Sequence, residues 1–386
     1  MALVSRRWLV NAITVVVLMV AIVVVWKWDE IQRLRTVSSL FAEDKLVHNF
    51  SHMDRAFLFT ELPRGSSEAS PLPQQLQALP LLAPWIKERG VAGLVVLKEG
   101  NVVFEGYYQG TEAADRRIGW SLAKPFLTAL TGILLHEGAI ESVDAQITEY
   151  LPQLKGGAYD GVTLRDVLQM TSGVSFNENF QDPKSDISEM GRVLALGGSL
   201  DEYITTLKSR HSEPGTHWQY ASIDTHIAAM VLRATTHRSI ADLMSEKIIQ
   251  PLGVEQTPFY LVDGYGVAFV LGGLNLSTRD YARFGQMFLQ QGEWNGQQVV
   301  PAEWVAASTM PQAPIEKGRT QYGYQWWIPA DAQEGEFYAR GVYGQYIYVN
   351  REKNVVVAVN AADLNFRGEG VREQNLAMFR QLAEEL

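Results

Sequence analysis

The chain has 386 residues, of which 47% are hydrophobic and 20% charged, with a formal net charge of −10. This length allows one large or two moderate domains with a sizeable core, and a negative charge without any dense Lys/Arg stripe argues against nucleic-acid binding. Cysteine is absent and the seven histidines form no HExxH pair, so any nucleophile is predicted to be an oxygen, and no metal or other cofactor is predicted.

The first predicted element is an uncharged apolar run, Trp8 to Trp26. It matches the ~20 residues that a membrane-spanning helix needs. Arg6 and Arg7 precede it, so the positive-inside bias places the N-terminus in the cytoplasm and the remaining chain outside. A cleaved signal peptide is disfavoured because the run exceeds the usual ~7–15 apolar residues and no A-x-A-like site follows. A buried core helix is disfavoured because the run has no polar face.

Turn-forming residues suggest how the remaining chain is divided. Residues 66–73 are rich in Ser and Pro, which predicts a loop or linker. We therefore expect a cytoplasmic stub and transmembrane anchor over 1–28, a juxtamembrane segment and linker over 29–80, and a catalytic domain over 81–386.

The catalytic domain is predicted to begin and end with strands. Two β-rich runs from Val91 are joined by Lys98 to Asn101, which predicts a hairpin with a Gly-Asn turn. Residues from about 125 to 255 are mostly helical in pattern. Further strands are predicted at 337–341, 345–349 and 355–359, and a last helix from Val371. This order predicts an α+β fold, with helices flanking an antiparallel sheet built from sequence-distant strands and a mostly helical region inserted between them.

Ser121 and Lys124 are the first candidates for catalysis. If a helix starts at the serine, the lysine lies on the same face one turn later, and Pro125 is tolerated only in such a first turn. The apolar neighbours Trp120 and Phe126 would penalise a charged ammonium, so that a neutral lysine can act as general base. The spacing alone favours a simpler alternative, an N-cap serine followed by a solvated lysine.

Other segments of the chain favour the catalytic alternative. In chain order they are Ser121-x-x-Lys124, V-L-Q-M-T-S-G at 167–173, Tyr220-Ala-Ser222, P-L-G at 251–253, L-S-T-R-D-Y-A-R-F-G at 276–285 and Y-G-Y-Q-W-W at 322–327. With these motifs the chain, from about Val91 to the C-terminus, resembles the serine β-lactamase and penicillin-recognising superfamily. It is most similar to the branch of class C-like esterases, D-amino-acid peptidases and 6-aminohexanoate-oligomer hydrolases. The resemblance implies a class C β-lactamase-like fold.

The resemblance also implies roles for individual residues. Tyr220 occupies the position of the tyrosine that shuttles a proton between nucleophile and leaving group, although a core tyrosine beside Trp218 is the alternative. The backbone N–H groups of Ser121 and Gln345 would form an oxyanion hole, because such donors need no particular side chain. Gly344 would allow the substrate a close approach.

Three departures from the family pattern bear on the substrate. The family's Lys/His-x-Gly motif reads Val342-Tyr343-Gly344 here. In that family the basic residue helps hold the carboxylate of β-lactams and D-alanyl peptides, and Val342 carries no such charge. Ser222 stands where true β-lactamases have asparagine, and Phe180 stands where the oligomer hydrolases can have a tyrosine that serves amide hydrolysis. Tyr343, Gly344, Ser222 and Phe180 are therefore the predicted substrate-binding residues, and the departures favour esters or small amides.

We thus predict a serine hydrolase that cleaves a small ester or amide through an acyl-enzyme, with Ser121 as nucleophile and with Lys124 and Tyr220 as general base and acid. It would be a single-pass protein of the bacterial inner membrane with a periplasmic catalytic domain. Two alternatives stay open, a D-alanyl peptidase acting on cell-wall peptides and a catalytically idle relative that binds peptidoglycan or a partner. Trp326 and Trp327 are left out of the catalytic set, because aromatic pairs are at least as often core packing.

Overall fold

The computed structural model describes residues 2–386. The helices are α1 (Ala2–Trp26), α2 (Trp28–Ser38), α3 (Leu46–Phe50), α4 (Leu82–Glu88), α5 (Ala123–His136), α6 (Ile147–Tyr150), α7 (Leu164–Gln169), α8 (Asp186–Leu196), α9 (Leu200–Thr205), α10 (Ser222–Thr236), α11 (Ile240–Met244), α12 (Gln250–Leu252), α13 (Thr278–Leu289), α14 (Ala302–Ser308) and α15 (Val371–Glu385). The strands are β1 (Leu58–Glu61), β2 (Val91–Lys98), β3 (Asn101–Tyr107), β4 (Arg117–Ile118), β5 (Phe259–Val262), β6 (Leu274–Leu276), β7 (Glu293–Trp294), β8 (Gln297–Gln298), β9 (Gln321–Tyr322), β10 (Trp327–Ile328), β11 (Glu336–Gly341), β12 (Gln345–Asn350) and β13 (Val355–Ala361).

Helix α1 contains the apolar run found in the sequence. Its Trp8–Trp26 portion is long and apolar enough to cross a membrane and is not buried against the rest of the chain. By length and composition it suits either a membrane anchor or a signal sequence. The predicted topology, with a periplasmic catalytic domain, stays a prediction.

A seven-stranded antiparallel sheet forms the centre of the fold, in the order β3-β2-β13-β12-β11-β10-β9. The N-terminal hairpin joins the C-terminal strands because β2 pairs with β13, from Lys98 opposite Val355 to Val91 opposite Ala361. The sheet is thus assembled from sequence-distant strands, as the sequence predicts. A second sheet, in the order β1-β5-β6-β4, leads the chain to the start of α5.

Helices α5 to α12 lie between β4 and β5, in agreement with the predicted helical region. Helix α5 is buried along most of its length, which suits its apolar sequence. Helix α13 packs on the central sheet, and the L-S-T-R-D-Y-A-R-F-G motif explains how. A Cβ at Gly285 would lie 2.7 Å from Val356 and 2.8 Å from Ile347, so the absence of a side chain lets the helix approach the strands.

The hairpin between β2 and β3 is present, but the predicted Gly-Asn turn is wrong. The turn residues are Glu99 and Gly100, and Asn101 is already the first residue of β3. Glu99 has a φ of 52° and Gly100 a φ of 78°. A two-residue hairpin turn of this kind needs positive φ at both positions, which Gly100 adopts at no steric cost.

The stretch before residue 81 is partly integrated into the folded body. Leu40, Phe50 and Leu62 are buried in the same hydrophobic core as α5 and α10. Strand β1 pairs with β5, with Leu58 opposite Val262. The predicted boundary at residue 81 stays a prediction, but residues 40–62 help build the core.

Candidate active site

Ser121 lies in a 3-10 turn, Trp120–Leu122, between β4 and α5. Helix α5 begins at Ala123, two residues later than the sequence predicts. The chain enters this turn through Gly119, whose N–H donates to the carbonyl of Leu274 in β6 at 3.0 Å. A Cβ at Gly119 would lie 2.4 Å from Tyr281 Oη, so a glycine is needed where the chain passes this side chain on its way to Ser121.

The three predicted catalytic side chains meet at the serine oxygen. Lys124 Nζ lies 2.9 Å from Ser121 Oγ, and Tyr220 Oη lies 3.0 Å from the same oxygen. Lys124 is only 2% exposed, and its Nζ also donates to the carbonyl of Leu271 at 2.6 Å. The spacing of Ser121 and Lys124 is local, whereas Tyr220 is 99 residues from the serine in sequence.

The V-L-Q-M-T-S-G segment fixes the loop that carries Tyr220. Helix α7 ends at Gln169, and the C-cap residue Met170 has a left-handed conformation. The carbonyl of Met170 accepts a hydrogen bond from Gln219 N–H at 3.1 Å, and that of Thr171 accepts one from Gly215 N–H at 2.8 Å. These bonds hold the backbone on the N-terminal side of the tyrosine.

Glu178 is a buried carboxylate at the edge of this arrangement, and the sequence assigned it no role. Its oxygens accept hydrogen bonds from the Ser222 N–H and, at 3.2 Å, from Ser222 Oγ. Burial raises the pKa of Glu178, while the charge of Lys124 and the bonds from Ser222 oppose that rise. Burial also raises the pKa of Asp224 to about 8, although Asp224 accepts a hydrogen bond from Tyr159. Because Ser222 follows Tyr220 by two residues and bonds to Glu178, it joins the loop that carries Tyr220 to this carboxylate.

Strand β11 ends opposite Ser121 and leads into the predicted oxyanion loop, residues 342–345. A Cβ at Gly341 would lie 2.4 Å from the carbonyl oxygen of Gly119. Strand β11 therefore ends directly against the Trp120–Leu122 turn, called the nucleophile turn below because it carries the predicted nucleophile. After β11, Tyr343 has a φ of 61° and Gly344 a φ of 84°. The buried side chain of Gln345 holds this turn, because its Nε2 donates to the carbonyls of Val342 (3.2 Å), Tyr343 (3.2 Å) and Ala361 (2.7 Å).

A cleft of about 430 Å³ opens above Ser121. Phe180 and Gly344, both predicted to bind substrate, line it, whereas Tyr343 and Ser222 do not. Trp327, which was left out of the catalytic set, also lines the cleft, and its ring stacks on Tyr220 at 5.6 Å between centroids. Its neighbour Trp326 is fully buried in the core.

Three arginines, which the sequence analysis missed, line the cleft beside the carboxylates of Glu178 and Glu373. Arg340 lies with its Cζ 4.2 Å from the centre of the Trp327 ring, Arg367 lies 5.2 Å from that of Phe180, and Arg372 pairs with Glu373. Among the residues whose side chains the structure describes, no carboxylate oxygen lies within 4.0 Å of Arg340 or Arg367. The family's motif cation is absent at Val342, yet cations reach the cleft from β11 and from the loop before α15.

Comparison with known proteins gives consistent matches. The profile of the Beta-lactamase family matches residues 81–378. The 6-aminohexanoate-dimer hydrolase of Paenarthrobacter ureafaciens is 29% identical over 301 residues, which are 73% of this chain and 76% of that protein. A solved Bacillus anthracis structure assigned as a 6-aminohexanoate-dimer hydrolase superposes with a TM-score of 0.80 at 23% identity, covering 90% of this chain and 95% of the other. A class C beta-lactamase mutant superposes with a TM-score of 0.59 at 16% identity, covering 79% and 95%. These likenesses confirm the predicted class C beta-lactamase-like fold.

Proposed function

Since this chain belongs to the beta-lactamase family, we propose that it is a serine hydrolase that cleaves a small ester or amide through an acyl-enzyme intermediate. One observation carries the proposal. Ser121 Oγ lies within 3.0 Å of both Lys124 Nζ and Tyr220 Oη, which is the contact that an activated serine needs with its proton acceptor and donor.

The acylation step follows from these contacts. Lys124, when it carries no proton, takes the proton of Ser121 Oγ as this oxygen attacks the carbonyl carbon. The backbone N–H groups of Ser121 and Gln345 stabilise the negative oxygen that forms. Tyr220 then passes a proton to the leaving alcohol or amine, the bond to that group breaks, and Lys124 returns its proton to the tyrosine.

Deacylation uses the same groups in the reverse sense. A water molecule in the cleft loses a proton to neutral Lys124, directly or by relay through the Tyr220 hydroxyl, as its oxygen attacks the acyl carbon. The ester bond to Ser121 breaks, the serine regains a proton, and the carboxylic acid leaves. The cycle consumes one water and leaves the enzyme unchanged.

Esters are the substrates that the cleft residues favour. Phe180 lines the cleft with a ring that has no hydroxyl, so it offers no proton to a departing amine. The names of the relatives, 6-aminohexanoate-dimer hydrolase and D-aminopeptidase, keep small amides and D-peptides within the proposal. We place the enzyme outside the bacterial cytoplasmic membrane, anchored by α1, because that helix is apolar enough to span a bilayer.

A fluorophosphonate probe tests this proposal without knowledge of the substrate. Full-length protein in detergent is treated with the probe, and intact mass and peptide mapping locate the adduct. We expect one adduct, on Ser121, and none in the Ser121→Ala variant. If the folded wild-type chain remains unlabelled while it binds muropeptides, it is an idle binding relative and the hydrolase proposal fails.

The second candidate, a D-alanyl peptidase, is favoured by Arg340 and Arg367. Their charges face the cleft without a carboxylate partner among the described side chains, so they are available to a substrate carboxylate. A substrate of this kind needs such a cation, which the motif residue Val342 does not supply.

Two esters that differ in one carboxylate distinguish the candidates. For Arg340→Ala we expect KM for mono-p-nitrophenyl succinate to rise about 10-fold, since one charged hydrogen bond is lost, with KM for p-nitrophenyl acetate unchanged. Arg351→Ala is the matched control, because Arg351 also lies over a ring, 4.8 Å from Phe337, outside the cleft. Equal effects of Arg340→Ala on both esters would argue against carboxylate recognition.

A further inference from the structure

We propose that residues 39–51, which precede the catalytic region, hold the oxyanion hole in shape through the rings of Phe41 and Phe50. The inference rests on the proposed hydrolase function, in which Ser121 and Gln345 supply the backbone donors. It assigns a positioning role to a segment that the sequence suggested was only a juxtamembrane connection.

Two strained residues adjoin these donors. Trp120, immediately before Ser121, has a φ of 48°, and Tyr343, two residues before Gln345, has a φ of 61°. Left-handed backbone is uncommon for bulky residues, costs free energy, and persists only where the surroundings hold it. The direction of both donor N–H groups therefore depends on what fixes Trp120 and Tyr343.

Phe41 and Phe50 contact both strained residues. The Phe41 ring stacks on Tyr343 at 5.6 Å with an interplanar angle of 14°, and lies 6.0 Å from Trp120. The Phe50 ring meets Tyr343 edge-on at 5.3 Å and Trp120 edge-on at 5.6 Å. The two phenylalanines thus connect the nucleophile turn to the oxyanion loop, and neither lines the cleft.

Residues 39–51 are themselves tied to the catalytic body. Asn49 Nδ2 donates to the carbonyls of Ser39 and Leu40, at 3.0 Å each, which fixes the turn that carries Phe41. Fully buried Arg117 donates to the carbonyl of Val47 at 3.2 Å and to Ser51 Oγ at 2.8 Å. Burial lowers the pKa of Arg117 to about 10, so it is protonated at neutral pH. Since Arg117 is in β4, these bonds fasten the segment beside the nucleophile turn.

The role predicts a specific kinetic signature. Loosening the segment misdirects the backbone donors, which act on the charge that develops during the covalent step. The binding of a small probe is spared because the phenylalanines do not line the cleft. The rate of bond formation should therefore fall while the apparent affinity stays unchanged.

The test uses the full-length chain in detergent and a fluorophosphonate probe, with kinact and KI determined separately. For Phe41→Ala we expect kinact to fall roughly 10-fold, as for a small misplacement of catalytic groups, with KI unchanged. Phe59→Ala is the matched control. Phe59 is 44% exposed and Phe41 is 51% exposed, and the Phe59 ring also packs against another aromatic ring, that of Phe259. The Phe59→Ala variant should label at the wild-type rate.

Two further variants separate positioning from a general loss of stability. Asn49→Ala frees the turn but keeps the Phe41 ring, and should lower kinact in the same way. In a Tyr343→Gly background, where positive φ needs no support, Phe41→Ala should lose most of its effect. Phe41→Ala with wild-type kinact, or with a raised KI alone, would overturn this proposal while labelled wild type still supports the hydrolase. An unlabelled wild type would overturn both.

Discussion

Lys124→Met is expected to lower kcat/KM for p-nitrophenyl acetate by about 10³-fold, within the range of losses seen when a general base is removed. The methionine nearly matches the lysine in length, so the buried site stays filled. What disappears is the group 2.9 Å from Ser121 Oγ, which we propose as the acceptor of the serine proton. Fluorophosphonate labelling of Ser121 should slow to a similar extent.

Lys98→Met is the matched control for this variant. Lys98 Nζ donates to the carbonyl of Lys353 at 2.7 Å, as Lys124 does to Leu271, so both changes remove one hydrogen bond from a lysine nitrogen to a carbonyl. Only the loss at Lys124 should affect catalysis. Lys124→Arg separates proton transfer from charge, since a guanidinium stays protonated. An active Lys124→Arg or Lys124→Met enzyme would exclude Lys124 as the base.

Gly341→Ala is expected to reduce the same kcat/KM by roughly 10²-fold or more, comparable to the loss of an oxyanion donor. The added Cβ would lie 2.4 Å from the carbonyl oxygen of Gly119, a separation that real Cβ atoms do not tolerate. The end of β11 must then move away from the nucleophile turn. That movement carries the oxyanion loop with it, and steady-state kinetics with p-nitrophenyl acetate measure the result.

Gly191→Ala in α8 serves as the control, because a Cβ there meets no atom within 4 Å. Alanine also has the higher helix propensity, so this variant should be fully active and at least as stable as wild type. Thermal unfolding of both variants checks that Gly341→Ala is folded at the assay temperature. A folded Gly341→Ala enzyme with wild-type kinetics would show that the close approach of β11 has no part in catalysis.

The parts of the site that the sequence predicts are those set by local geometry or by a motif. Lys124 follows Ser121 at a spacing that brings them together in any helical start, and the β-rich runs of β2, β12 and β13 indicate strands without knowledge of their partners. The sequence predicts the start of α5 two residues too early, because the residue pattern of the 3-10 turn before α5 does not differ from that of a first helical turn.

The parts that the sequence does not predict depend on contacts between distant segments. Arg340 alternates with apolar residues in β11 and reads as an outward-facing strand residue, although the fold turns it toward the cleft. Arg367 lies in a loop without a motif. Phe41 belongs to the stretch that the sequence assigns only to a juxtamembrane segment, and its contact with Tyr343 spans some 300 residues of chain. No spacing rule relates such pairs, because tertiary packing alone brings them together.

The pairing of β2 with β13 has a consequence for how the enzyme matures. The last residues of β13 accept the Gln345 amide at Ala361, so the oxyanion loop lacks this support until the chain is synthesised past that point. A nascent chain already carries Ser121 and Lys124 but not the strands that complete the cleft, and such non-local pairing forms slowly. We therefore expect the ribosome-bound polypeptide to be inert, and premature stop codons before β13 should yield proteolysis-sensitive products without hydrolase activity.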